Sequence, residues 1–530
     1  MGANQLGQRG KMWILVGVLL GMFVAALDTF IVSPALPQII ADLKGMQYYA
    51  WPFTAYILCM AATTPVFGRL ADMLGFKPIY AAGMLLFLAG SALCGAAQNM
   101  MQLIIFRGVQ GLGAGMLAAN SLAIIGATFA PAERAKYIGL GSSVAALASI
   151  VGPLIGGAIT DHLTWRWVFY VNIPVGLVTL LVILLTLPRV KERVAHKIDF
   201  VGIAVFVAAI VPLLLALTWG GGEYEWGSPQ IIGLLAGSAL MLVVFVFVEL
   251  KVAEPIVPMA FFRNSIFVIC SVSMMLATGI SIGTVVFLPL FIQGVLGATA
   301  TNSGTIIFPL MLGFLVTAAV AGGIMSKTQK YKVFALLGFL VMGVGTFLLS
   351  QVDTTTSQRA MRWYMAVVGA GMGLALPVYS LAAQNAVPQS QVGSVTSLVQ
   401  FFRLLGSTLF SAVLGTAMST SLQHRLAGLS FPGLPAEVST FLQNPQAISS
   451  PDAIGQVRAV LPGSLLPAFE QALGQVRGFL AESITSVWTI GLFIAVAGLI
   501  AALLLKEIPL RKEILKEEPA AAQETAGAAA

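Results

Sequence analysis

Apolar residues run along this chain in long, nearly unbroken stretches, separated by short segments holding most of the charge. A helix rising 1.5 Å per residue needs about 20 mostly apolar residues to cross a hydrocarbon layer about 30 Å thick. That criterion predicts spans at 12–34, 49–70, 78–97, 100–128, 135–159, 165–187 and 199–218. Seven more follow at 229–251, 266–293, 303–325, 331–351, 361–385, 394–420 and 482–505. Fourteen spanning helices, rich in Gly, Ala and Leu, predict an all-α integral membrane protein and exclude a barrel of short alternating strands.

One connection breaks the rhythm. Residues 421–481 separate the last two spans and carry helical segments, such as Leu465 to Ala481, interrupted by Pro432, Pro435, Pro451 and Pro462. They predict a small amphipathic cap. The remaining organisation reads as an N-terminal segment 1–11, a six-helix half 12–187, a linker 188–265 with two inserted spans, a second half 266–505, and a tail 506–530 ending in disorder. The first span is too long for a signal peptide and lacks a clean cleavage site.

Composition agrees with the pattern. Hydrophobic residues make up 58% and charged residues 9% of the 530 positions, and mean hydropathy is +0.92. A soluble fold carries about 25% charged residues, so soluble nucleic-acid binders and disulfide scaffolds are excluded. Placing the N-terminus inside puts nineteen Lys and Arg in cytoplasmic segments and seven outside, so both termini are expected in the cytoplasm. The net charge of +7 is thus a topology signal, without the basic face a nucleic-acid partner requires. Cys59, Cys94 and Cys270 are scattered through spans, and His162, His196 and His424 stand far apart. Neither set makes a metal site.

A repeat links two loops of the same sidedness. Gly68-Arg69-Leu70-Ala71-Asp72 leads through Gly75 and Lys77 to Gly83, and Gly323 leads through Lys330 and Lys332 to Gly338 with the same spacings. In the second copy Lys327 replaces Asp72 and Lys330 replaces Gly75. Repeated halves are typical of secondary transporters that rock about a central site.

Few ionisable groups lie deep. Asp28 is the one carboxylate well inside a span, and Arg107 and Arg403 are the interior cations. Charge at bilayer depth costs at least about 2.5–3.5 kcal/mol on insertion scales, so it marks a pathway or a counter-ion pair. Asp28 lies about 9 Å, and Arg107 about 10 Å, from the outer ends of their spans, so the two can meet. Either a static ion pair or a proton-coupled switch results, because Arg107 favours the charged carboxylate and desolvation opposes it. Small residues recur every four positions at Gly111, Gly115 and Ala119, and at Ala148, Gly152 and Gly156, with Pro153 and Gly157 alongside.

These features together resemble the major facilitator superfamily, and within it the fourteen-helix drug:proton antiporters, over nearly the whole length. GRLADMLGFK at 68–77 is similar to the family's cytoplasmic gate motif, implying a latch role for Gly68, Arg69, Asp72, Gly75 and Lys77. RGVQGLGAG at 107–115 resembles the fourth-helix motif, whose arginine is implicated in proton coupling. GPLIGG at 152–157 resembles the antiporter motif, and WRWVFYVNIPVG at 165–176 marks the fourteen-helix branch. QNAVP at 384–388 and FFRLLG at 401–406 resemble later segments.

LDTFIVSPALP at 27–37 keeps the acid but departs from the pattern at Phe30 and Ser33, leaving Asp28 fewer polar neighbours on its own helix. The resemblance implies a twelve-helix core in two six-helix halves, a cavity lined by 12–34, 100–128, 266–293 and 361–385, and proton-coupled efflux of amphipathic, lipophilic or cationic compounds across the inner (plasma) membrane. Gln110, Asn120, Gln293, Tyr379, Gln384 and Arg403 are candidate cavity contacts.

No cofactor is expected, since no GxxxxGK[ST] loop is present to couple ATP. The expected partners are substrates, protons and lipids, with no nucleic acid and no obligatory protein. An exporter of one specific metabolite, peptide or lipid-like compound is the alternative. A non-transporting sensor or enzyme ranks lower, since no catalytic cluster is present.

Overall fold

The computed structural model describes residues 7–43, 48, 51–188, 198–297, 300–426, 431, 434–442 and 451–510. His196, the basic run Arg189 to Lys197, Pro432 and the tail beyond residue 510 lie outside them. Among the described residues the fold is helical, with fourteen helices long and apolar enough to span a membrane. The N-terminal half comprises α1 (Gln8–Leu43), α2 (Trp51–Leu74), α3 (Phe76–Gly95), α4 (Met100–Thr128), α5 (Pro131–His162) and α6 (Trp167–Thr186). The inserted pair is α7 (Phe200–Trp219) and α8 (Pro229–Glu249). The C-terminal half comprises α9 (Ser265–Leu290), α10 (Ala300–Thr328), α11 (Lys332–Ser350), α12 (Gln358–Asn385), α13 (Val392–Leu426) and α14 (Leu466–Leu504).

An even number of crossings returns the chain to the end of the bundle where it starts, here called the terminal end; the opposite one is the far end. Helix bounds depart from expectation at three places. Helix α1 continues beyond Pro34 to Leu43, because neighbouring helices can satisfy backbone groups that a proline frees. Helix α13 runs to Leu426. Helix α14 begins at Leu466, so the segment expected within a surface cap is instead the far-end extension of the last span.

Burial orders the bundle. In the most apolar window of α4, 83% of residues are buried, against 17% in α8, so α4 is central and α8 peripheral. Within each half the same pairs associate: α2 and α3 pack on α4, and α10 and α11 pack on α12. Glycines permit the approach. A Cβ on Gly83 would stand 2.6 Å from Met116 Cβ on α4, and one on Gly338 would stand 2.7 Å from Ala375 Cβ on α12.

The repeat extends to chemistry. Lys77 Nζ donates to Leu184 O and Leu187 O at the end of α6, at 2.6 and 2.8 Å. Lys332 Nζ donates to Leu503 O at the end of α14, at 2.8 Å. Each lysine satisfies carbonyls that a helix C-terminus leaves open, and favours the negative end of its dipole.

Candidate functional site

Asp28 and Arg107 meet, as their depths along α1 and α4 predict. Both are fully buried, and Arg107 Nη1 donates to Asp28 Oδ2 at 2.6 Å. Asp28 Oδ1 accepts from Gln110 Nε2 and from Asn172 Nδ2, each at 2.8 Å. The carboxylate therefore has three donors on α4 and α6, which compensates for the polar positions missing from α1. Gln110 Oε1 accepts a second bond from Arg107 Nη1 at 2.8 Å, and Asn172 Nδ2 also reaches Ser91 Oγ at 3.1 Å. The guanidinium lies 4.1 Å from the Tyr56 ring centroid, a cation–π contact strengthened by the burial of both groups. Arg107 Nη2 is buried with no hydrogen-bond partner.

Asn172, Ser91 and Tyr56 were not singled out by the sequence reading. Asn172 carries a signal, an amide inside the apolar run of α6. Gln110 belongs to this network, which uses both ends of its side-chain amide, and so does not line an open cavity.

A second polar cluster joins the halves at the terminal end. Asp72 Oδ1 accepts from Gly393 N at 2.8 Å, and Oδ2 accepts from Ser394 N and Ser394 Oγ, both at 2.6 Å. Asp72 on α2 thus caps the N-terminus of α13 across the interface, where backbone N–H groups and the helix dipole favour an anion. Gly68 lets the helices close, since a Cβ there would collide with Ser397 Oγ. Gly75 turns the chain from α2 into α3 at φ 92°, a conformation glycine adopts without strain. Arg69 Nε is buried without a partner.

Gln384 also belongs to this closure. Its Nε2 donates to Leu122 O at 3.1 Å across the halves and to Thr396 Oγ1 at 3.0 Å. Arg134 Nη2 donates to Gln389 Oε1 at 2.7 Å, another cross-half bond. Gln384 thus takes part in this closure, and its Oε1 stays buried without a partner.

The remaining predicted residues separate. Gly152 and Gly156 form the α1–α5 contact, because a Cβ on either would meet Phe30 or Ile31. Gly157 has open space and Pro153 is exposed, so neither is in that contact. Tyr379 is fully buried against Phe339, rings 6.0 Å apart, with its hydroxyl lacking a hydrogen-bond partner. Asn120 donates to Met116 O on its own helix at 2.7 Å and keeps a bare, buried Oδ1. Gln293 is half-buried in a π-turn extending α9. Arg403 is half-buried with a bare Nε.

Two six-helix halves related by a repeat, closed at one end and holding a sealed charge network within fourteen spanning helices, define a multi-pass membrane transporter. The chain belongs to the major facilitator superfamily, whose sequence profile it matches over residues 18–411. It is 37% identical to the "Multidrug transporter protein MdtP" of Bacillus subtilis (strain 168), covering 98% of this chain and 97% of that one. It is 34% identical to "Multidrug resistance protein 3" of the same organism, over 92% and 93%. The "Rubrofusarin-specific efflux pump aurT" of Gibberella zeae is 32% identical over 79% of this chain and 78% of that one.

Solved structures share the fold at low identity. The human organic anion transporter MFSD10 superposes with a TM-score of 0.58 at 12% identity, covering 92% of this chain and 99% of that one. The proton:xylose symporter XylE gives 0.56 at 13%, over 92% and 95%.

Proposed function

We propose that the chain is a proton-coupled antiporter exporting amphipathic, lipophilic or cationic small molecules by alternating access. The observation that carries this reading is Asp28, fully buried with Arg107, Gln110 and Asn172 as donors. The names of the Bacillus relatives support multidrug efflux. The Lys and Arg bias supports a cytoplasmic terminal end in the plasma membrane, which makes the closed end the cytoplasmic one.

In this scheme a proton from the outer side neutralises Asp28 and dissolves its ion pair with Arg107. The freed guanidinium and the loosened α1–α4 contact then favour opening at the Asp72 latch. Substrate taken up from the cytoplasmic side restores the charged pair by displacing the proton. Asn120 and Arg403, each with a buried side-chain atom left without a partner, and the half-buried Gln293 are proposed substrate contacts. One proton moving down 100 mV releases about 2.3 kcal/mol, enough for roughly a fifty-fold gradient of a neutral substrate at one-to-one coupling.

The test is ethidium efflux in vesicles under an imposed pH gradient. Asp28→Asn should insert normally and lose gradient-driven efflux; undiminished efflux would overturn the role of Asp28. Export of one specific compound is the second reading, favoured by the compound-specific name of the Gibberella relative. Competition by many unrelated compounds would count against it.

A further inference from the structure

The seam between α2 and α13 is closed at one end and open at the other. At the terminal end Gly68 lies against Ser397 and Gly393, and Asp72 caps α13. Toward the far end the same helices part around a cavity of about 470 Å³, within the range of small-molecule sites. Thr54, Ile57 and Leu58 face it from α2, Ser411 and Ala412 from α13, and Leu217 from the inserted α7.

The inserted pair spans the opening. Trp219 sits edge-on to Trp51 of the first half at 5.7 Å, and Trp226 Nε1 donates to Thr416 Oγ1 of the second at 2.9 Å. Among the described residues no charged side chain lines the cavity. Its walls offer apolar groups, hydroxyls and the backbone of Gly220 to Gly222.

We propose that this cavity binds an uncharged amphipathic molecule, and that it exists only while the terminal ends of the halves are closed. The chemistry follows from the lining. A charged ligand would lose hydration without gaining a counter-charge, whereas a neutral molecule with a polar group exchanges water for hydroxyls at little cost. The state dependence follows from geometry. Helices α2 and α13 are rods in contact at one end, so bringing their far ends together removes the space, and Ser411, Ala412 and Gly415 are small enough to allow it. The cavity narrows the substrate class for this part of the path. Its state dependence rests on the alternating-access reading; the binding does not.

The test uses purified full-length protein and N-phenyl-1-naphthylamine, an uncharged amphiphile, read by saturable energy transfer from tryptophan. Ser411→Trp, which fills the cavity, should weaken binding about tenfold or more, with Ser411→Leu intermediate, while ethidium fails to compete. Equal affinity in the wild type and both variants would overturn the site. Equal competition by ethidium would overturn the uncharged class. Spin labels across the terminal closure should report a permanently closed end in Ser411→Trp, and unchanged opening would overturn the state dependence. Binding as expected without gradient-driven transport would leave the site standing and refute the efflux reading instead.

Discussion

Replacing Asp28 by Asn changes one atom in the most enclosed charge network of the molecule. Gln110 and Asn172 can keep their bonds to the remaining carbonyl oxygen, so the loss falls on Arg107. Its Nη1 then faces a neutral amide and keeps only Gln110 Oε1 at 2.8 Å, Nη2 already lacks a partner, and Nε has only Pro52 O at 3.3 Å. Removing one member of a buried pair costs about 3–5 kcal/mol, two to four decades in the folded-to-unfolded ratio. Removing both members, as in Asp28→Leu with Arg107→Met, leaves no stranded charge and should recover most of that loss.

Reversible unfolding in mixed micelles measures the three stabilities, and vesicle efflux measures function. The single variant should be the least stable, and both variants should fail to pump. A cost below about 1 kcal/mol for Asp28→Asn, or a double variant no more stable than the single one, would refute the buried-pair energetics. A restored double variant that still pumps on a pH gradient would show that the pair only holds α1 to α4.

Asp72→Asn should weaken the cap on α13, because bonds to a charged acceptor contribute about 1.5–3 kcal/mol; spin-label distances should show the terminal end open more often. Gly156→Leu should disrupt the α1–α5 contact and destabilise the fold by roughly 1–3 kcal/mol, whereas Gly157→Ala, with open space around it, should stay within about 0.5 kcal/mol in the same unfolding assay. Asp42 is held below the usual carboxylate range by hydrogen bonds from Trp165 and Arg166. Its contribution is therefore present above the unfolded carboxylate range and lost as pH falls through the folded value, and Asp42→Asn should flatten that acid limb of a thermal-stability profile. Tyr331, whose hydroxyl burial pushes up to about 12, donates to Lys506 O and accepts from Ile508 N. Tyr331→Phe should therefore loosen residues 506–508 and raise their hydrogen exchange.

Span number and the meeting of Asp28 with Arg107 were legible because both depend on one dimension, the count of residues along a helix. Contacts that depend on rotation between helices were not. Gln110 and Gln384 look alike in sequence, an amide in an apolar span, yet one turns toward Asp28 and the other crosses to Leu122 O. Asn172 was hidden because its partner lies 144 positions away. The antiporter motif shows the same limit. The spacing puts Ala148, Gly152 and Gly156 on one face with Gly157 alongside, but does not say what that face meets, which is α1 for Gly152 and Gly156 and open space for Gly157. The extent of α14 escaped for another reason, since 466–481 is amphipathic enough to mimic a surface helix until its continuity with the span is seen.

The repeat places two seams between the halves, α2 with α13 and α5 with α10, and their chemistry differs. On the first, Asp72 caps α13 with three bonds. On the second, the position equivalent to Asp72 is Lys327, which is exposed, and the N-cap of α5, Ala130, provides no side-chain cap. A lysine in place of that acid has no acceptor for backbone N–H groups, so that seam cannot hold by the same means. It relies instead on close backbone packing and on bonds between neutral groups: a Cβ on Gly322 would stand 2.5 Å from Ala135 O, Gly139 meets Ala318 O in the same way, and Ser143 Oγ donates to Leu315 O at 3.1 Å. Opening the first seam breaks charge-assisted bonds that water can replace, a cost that solvation largely offsets. Separating the second forfeits close packing along two helices with nothing to replace it. The rocking motion should therefore open mainly at the Asp72 seam and pivot on the glycine seam. On the proposed alternating-access reading, the lost acid of the second repeat, a blemish in the sequence symmetry, makes one side of the interface a latch and the other a hinge.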